Sequence, residues 1–211
     1  MKREFHVRFC ERLGLKCPCL LDFATRSFPI FYEVYLCVMS EKYKFTDPQG
    51  IYFVTTAIVG WVDLFTRWEL KHVILDSLRH CQKEKGLVVH AWCLMPSHLH
   101  MIISTKQEPL PNIMRDFKKF TSKDESRKGW ILELFSEVAD HLERVSHYKV
   151  WQDGNHPELL FSAKFMEQKP DYLHSNPVAD EIVDEPAEYR YSSARDYYSN
   201  KKGYLEVELI E

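Results

Sequence analysis

Glycine is scarce in this chain: seven in 211 residues, at positions 14, 50, 60, 86, 129, 154 and 203. None of them builds a Gly-x4-Gly-Lys phosphate loop, so nucleotide-driven chemistry of that type is excluded. Positive charge is not in excess either. The net charge is −3, and any nucleic-acid role must therefore rest on a local basic patch rather than on the whole surface. The most apolar piece of the first 38 residues, Phe28 to Met39, is too short to span a membrane and is broken by Glu33. Glu4 and Glu11 do not suit the basic start of a secretion signal. Cysteines number six, but only Cys81 and Cys93 lie in the periodic part of the chain. Reduced thiols and a cytoplasmic setting are the expectation. Cys17-Pro18-Cys19 is spaced too tightly for a zinc knuckle. There is no internal repeat and no low-complexity tract.

What is there reads as an ordinary globular domain, 45% hydrophobic and 28% charged. Residues 1–38 show neither alternation nor a helical stripe, and are read as an amino-terminal extension, a possible mis-assigned start. Met39 looks like the start of a domain running over 39–180, followed by a tail, 181–211, that packs on the domain or contacts DNA.

Residues 51–59, "IYFVTTAIV", are β-branched and aromatic and predict a strand. Residues 66–86 place Leu70, Val73, Ile74, Ser77, Leu78 and Cys81 on one helical face, with Gly86 as the stop. Residues 87–95 and 98–104 predict a hairpin across Pro96-Ser97, and 110–145 a long polar helical region with a break near Gly129. "HYKVWQ", 147–152, predicts the fourth strand, and 162–175 a helix that Asn176-Pro177 must end, with Pro170 inside it. The order β-α-β-β-α-β with a further helix predicts an α+β fold. Its sheet is a ferredoxin-like (RRM-like) antiparallel one with two helices on one face.

Within "MPSHLHMII", 95–103, His98 and His100 are two apart on a strand and so share a face, with Leu99 and Met101 on the other. Two neutral imidazoles at that spacing can share a divalent metal, or be half-buried histidines bonded to their neighbours. Further along, Tyr172 and Asn176 share a helical face if both stay helical. A phenol there is a candidate nucleophile and an amide oxygen a candidate metal ligand, against a bland reading of core packing and helix termination.

Three segments taken together, "HAWCLMPSHLHMII", "VWQDGNHPELLFSAKFMEQKPDYLHSNPV" and "EYRYSSARDYYSNKKG", resemble the single-tyrosine HUH transposases, and among them the REP-associated tyrosine transposases. The resemblance covers roughly residues 40–211. It implies that His98 and His100, on a central strand, are metal ligands and that Tyr172 is the catalytic nucleophile on the carboxy-terminal helix. Asn176 is then the third ligand in a place where many relatives carry glutamine, with His156 as its rival. The resemblance further implies cleavage and rejoining of single-stranded DNA at hairpin or palindromic repeats through a 5′-phosphotyrosine, with Mg²⁺ or Mn²⁺. Monomer and homodimer both stay open.

DNA must also be held. Arg115, Lys118, Lys119, Lys123, Arg127 and Lys128 stand against Asp116, Asp124 and Glu125, a local charge of +3 from six minus three. Arg195, Lys201 and Lys202 add to the tail, and Trp130 and Trp151 could stack bases if exposed. Three rival readings stand beside this one. About 170 residues are too few for a barrel hydrolase. A plain RNA-binding sheet would carry aromatics where the third strand has histidines. A host-adopted, structure-specific DNA-binding protein without mobility is the alternative reading.

Overall fold

Alternating β-branched and aromatic residues make Tyr52–Ala57 the first strand, β1. The computed structural model describes residues 44–123, 150–199 and 201–210, all within the unit Glu41–Glu211. The expected extension, 1–38, lies outside the described residues, as do Arg127, Lys128 and Trp130. After β1 come helix α1 (Trp68–Lys85), strands β2 (Leu87–Leu94) and β3 (His98–Thr105), and helix α2 (Leu110–Lys123). Strand β4 (Glu158–Leu159), helix α3 (Ala163–Ala179) and a short helix α4 (Ala194–Tyr198) follow. The sheet order is β2-β3-β1-β4, every neighbour antiparallel, which is the split βαβ arrangement read from the sequence. No helix among the described residues is long and apolar enough to cross a membrane.

The two faces of the sheet bury different sets of side chains because residues alternate along each strand. Tyr52, Val54, Leu99, Met101 and Ile103 join the apolar stripes of α1 and α2 in one cluster. Phe53, Ala91, Cys93, Ile102 and Leu173 form a second cluster beneath α3 on the opposite face. Helix α1 stops where Gly86 turns left-handed, at φ 70°, and gives its N–H to the Cys81 carbonyl. Cys81 and Cys93 are both buried free thiols.

Two elements differ from the sequence reading. The fourth strand of the sheet is Glu158–Leu159; of the expected 147–152, residues 147–149 lie outside the described residues and 150–152 form no strand. Trp151 makes only a single bridge to Ile58, and the left-handed residues Gly154 and His156 then bend the chain out of register. Pairing resumes through the Asn155 carbonyl, which accepts from Thr55 N–H at 3.1 Å, before β4 itself begins. The second difference is α3, which runs through both Pro170 and Pro177 to Ala179 instead of ending at Asn176. Its amino terminus is capped by the Ser162 hydroxyl, which accepts from Phe165 N–H.

The outer edge of β2 is covered by the tail. Ser193 N–H reaches the Trp92 carbonyl, Leu94 N–H the Tyr191 carbonyl, and Glu208 N–H the Val89 carbonyl. Such cover removes an exposed edge that could pair with another chain. Helix α3 is pinned to this segment by His174, which is fully buried. Its Nε2 lies 2.7 Å from Ser193 Oγ and its Nδ1 3.3 Å from Tyr198 Oη, which in turn donates to Asp171. Burial pushes the imidazole down to about 4, partly opposed by the nearby Asp171 charge. A neutral imidazole with one N–H and one lone pair satisfies both hydroxyls.

A depressed histidine pKa means that the unfolded chain binds the proton first, so stability falls as pH falls from about 6.5 towards 4. His174→Asn should be less stable at neutral pH and should show a flatter decline between pH 6.5 and 5, above the range where carboxylates titrate. Urea midpoints measured across that window check it; an unchanged slope would remove His174 as its source.

Candidate active site

His98 and His100 enter one space because the hairpin places them on the α3 face of β3. The register sets Ala57 opposite His98, and Thr55 and Cys93 opposite His100. These small neighbours leave room for two rings, whose centroids are 4.6 Å apart at 79°. Both histidines are buried. Thr55 Oγ1 lies 2.8 Å from His100 Nδ1, and Ser97 Oγ 3.1 Å from His98 Nδ1. With Nδ1 committed in each ring, Nε2 is the nitrogen each would turn to a metal, and a bond at the other nitrogen is what fixes a ligating imidazole.

Tyr172 arrives from α3. Its ring is 6.2 Å from His100 and 6.1 Å from Phe53, while Phe53 stacks on His100 at 5.5 Å. The phenol is half-buried, at the rim of this aromatic triangle. Three further tyrosines near it donate to named acceptors. Tyr189 donates to the Leu94 carbonyl, Tyr197 to the His90 carbonyl and Tyr198 to the Asp171 carboxylate. Burial raises all three above the usual phenol range, which opposes formation of a phenolate.

Asn176 lies one turn beyond Tyr172 and is buried. Its Nδ2 donates to the Tyr172 carbonyl at 2.9 Å and to the Leu173 carbonyl at 3.2 Å. The Leu173 carbonyl is the acceptor that Pro177, lacking an N–H, cannot serve. The side chain thus repairs the helix and orients its own amide, with Oδ1 on the opposite side from the donated bonds. His156, the rival ligand, sits in the loop beside Thr55 with φ at 41°. Among the described residues no three His, Cys, Asp or Glu side chains gather as a metal group, so His156 does not complete one with the pair. A third protein ligand from among the described residues would be of another type, such as an amide oxygen.

The basic residues divide. Lys118 Nζ donates to the Gln152 and Gly154 carbonyls and fastens that loop to α2. Arg115 is exposed but bonds Asp116, whose carboxyl falls to about 2 through Arg115 and Lys85. Arg195 donates to the Ala187 carbonyl, Lys119 is exposed, and the Lys123 side chain lies outside the described residues. Trp151 is core. Sequence reasoning missed Thr55, Phe53 and Lys169. Lys169 is buried, 2.6 Å from Glu158, with its ammonium 4.6 Å from the Phe53 ring centre. Its position three residues before Tyr172, on the same helical face, was the available signal.

Asn176→Leu should keep the side-chain bulk but remove the donor shared by the Tyr172 and Leu173 carbonyls, the second of which has no backbone donor. A loss of about 1–3 kcal/mol in urea unfolding is expected, and Asn176→Asp, which sets a carboxylate against those carbonyls, should lose more. No loss in either variant would show that the amide does not support the helix.

Comparison with known proteins places these observations. Residues 62–156 match the family model described as "Transposase IS200 like", a span that includes both histidines and ends before Tyr172. A solved REP-associated tyrosine transposase, bound to a REP hairpin, superposes with a TM-score of 0.53 at 17% identity. The match covers 80% of this chain and 92% of that one. A search of curated proteins finds no match. The resemblance drawn from the sequence therefore holds: over residues 62–156 the chain is similar to IS200-like transposases, and its fold is that of the REP-associated tyrosine transposase.

Proposed function

We propose that this chain is a DNA transposase that cleaves and rejoins single-stranded DNA with Tyr172 as its nucleophile. The observation that carries the reading is the convergence of His98, His100 and Tyr172 from two elements on one face of the sheet. The phenol oxygen attacks a backbone phosphorus, the new O–P bond replaces the P–O3′ bond, and the departing 3′ oxygen takes up a proton. The products are a 5′-phosphotyrosyl strand and a free 3′-hydroxyl. A second 3′-hydroxyl attacking the phosphotyrosine reverses the exchange and restores the phenol, so no nucleotide is consumed.

The donor set suits a divalent metal, with His98 and His100 through Nε2 and Asn176 through its amide oxygen as the residues to hold Mg²⁺ or Mn²⁺. Bound there, the metal supplies Lewis-acid polarisation of the scissile phosphate. Thr55 and Ser97 keep both imidazoles turned the right way, and Phe53 sets the spacing between His100 and the tyrosine ring. Helix α3 delivers the phenol to the rim, where a strand can reach it. Hairpin or palindromic repeats beside the gene are the proposed substrates, supported by the hairpin held in the solved relative.

Wild-type protein with Mg²⁺ and single-stranded DNA from its own flanks should form an adduct that survives boiling in detergent. Duplex of the same sequence should not react, and Tyr172→Phe should keep DNA affinity and lose the adduct. An adduct in the Phe variant, or a nucleotide mapped to another residue by mass spectrometry, would displace Tyr172. No adduct on any flanking strand would favour a structure-specific DNA-binding protein without mobility.

Mn²⁺ titration calorimetry addresses the ligands. His98→Ala and His100→Ala should each remove most of the binding with the fold kept. Thr55→Val, which deletes only the hydroxyl behind His100, should weaken it by roughly 10- to 100-fold. Equal affinity in all of these proteins would return the histidines to a structural role.

A further inference from the structure

Immediately after β1 the chain makes a tight turn, Val59–Trp61, in which two successive residues take left-handed backbone angles. Gly60, at φ 69°, does so freely, but Trp61, at φ 58°, does so against the crowding of its own Cβ. Glycine or asparagine would fit that position with less strain. The turn is firmly framed. Trp61 N–H bonds the Ile58 carbonyl, Val59 N–H the Val150 carbonyl, and Ile58 N–H the Ser97 carbonyl. Val59 and Val62 on either side pack against the core, whereas Trp61 belongs to neither core cluster and is 48% exposed. Its indole stands edge-on to His98, with ring centres 5.4 Å apart.

A single exposed tryptophan needs no explanation by itself. A strained one, rigidly framed and leaning on one of the two site histidines, does, because strain persists where function repays it. We propose that Trp61 is a stacking platform for an unpaired base of the DNA strand next to the phosphate that Tyr172 attacks. This rests on the function proposed above. The attacked strand must be splayed for the phenol to reach phosphorus, and a splayed base has lost the neighbour on its π face. An indole beside His98 supplies a replacement face within reach of the same nucleotide. Stacking of this kind tolerates any base, so Trp61 would hold the strand without reading its sequence.

The test uses the full chain in a Tyr172→Phe background and a fluorescein-labelled flanking strand, the one that gives the adduct with wild type. Trp61→Ala should weaken binding about 5- to 150-fold, the span that one base–aromatic stack is worth, and Trp61→Phe much less. Trp61→Gly should bind as weakly as the alanine variant yet melt at or above the wild-type temperature, since glycine relieves the left-handed strain. Removing one base from the strand beside the cleaved phosphate should cost Trp61 protein a similar factor and cost Trp61→Ala nothing more. Wild-type affinity in the alanine variant overturns the proposal. So does a loss shared equally by every abasic strand and accompanied by weaker Mn²⁺ binding, which would make Trp61 a support for His98. If the protein with Tyr172 intact forms an adduct while Trp61 changes nothing, only this inference fails. If it neither binds the strand nor forms an adduct, the functional reading falls first and this one with it.

Discussion

The register of β3 against β1 is the constraint on which everything else depends. Thr55 opposite His100 and Ala57 opposite His98 put both imidazoles, a hydroxyl to orient one of them, and room for both rings on one side of the sheet. A slip of one residue would send the histidines into the apolar cluster beneath α1 and α2 and bring Leu99 and Met101 to the site. That alternative would set two polar rings in an apolar layer and part His100 from the Thr55 hydroxyl that partners it, so the polar demand of the imidazoles favours the observed register. The core thereby selects the site's geometry, with the turn at Pro96-Ser97 contributing the second orienting hydroxyl.

Helix α3 meets a harder demand, because it must carry Tyr172 to that face through a segment with two prolines. Asn176 resolves one of them by turning its amide nitrogen back to the Leu173 carbonyl, which Pro177 leaves without a backbone donor, and to the Tyr172 carbonyl beside it. His174 and Lys169 fix the same helix from either side, one through hydroxyls of the tail and the other through Glu158 on the edge strand. The tyrosine thus sits on a helix held at several points, while its ring stays at the rim. The position of the Tyr172 ring is thus set by neighbours elsewhere on the helix, the tail and the edge strand.

Much of this was legible in the sequence, and the parts that were not share a cause. The three-four spacing in 66–86 reports burial of one helical face, and the apolar run in 98–104 reports a buried strand; both are local information, and the structure follows them closely. The fourth strand was misplaced because Trp151 looks like a strand residue but is buried as a single bridge, and the real pairing depends on left-handed residues that no periodicity reveals. The end of α3 was misread because the proline rule counts backbone donors and ignores a side-chain amide that can replace one. Thr55 and Phe53 were invisible for a third reason. Their roles come from residues more than 40 positions away, brought opposite by sheet pairing.

The same distinction decides how charge should be read. A run of lysines and arginines on α2 suggests a phosphate track, yet Lys118 is spent on loop carbonyls and Arg115 lies against Asp116. Arg195 likewise serves the carbonyl of Ala187. Lys118 and Arg195 keep their charge but have donors committed to backbone carbonyls, and Arg115 is paired with a carboxylate, so each is also part of the frame of the fold. Aromatic groups stand where that attraction would otherwise be sought: Phe53 and Tyr172 around His100, and Trp61 against His98. Under the function proposed above, such a site would suit a nucleic acid whose bases are unpaired, because such a strand offers faces to stack as well as phosphates to neutralise. The chain's small negative net charge and the proposed single-stranded substrate are then two sides of one physical choice.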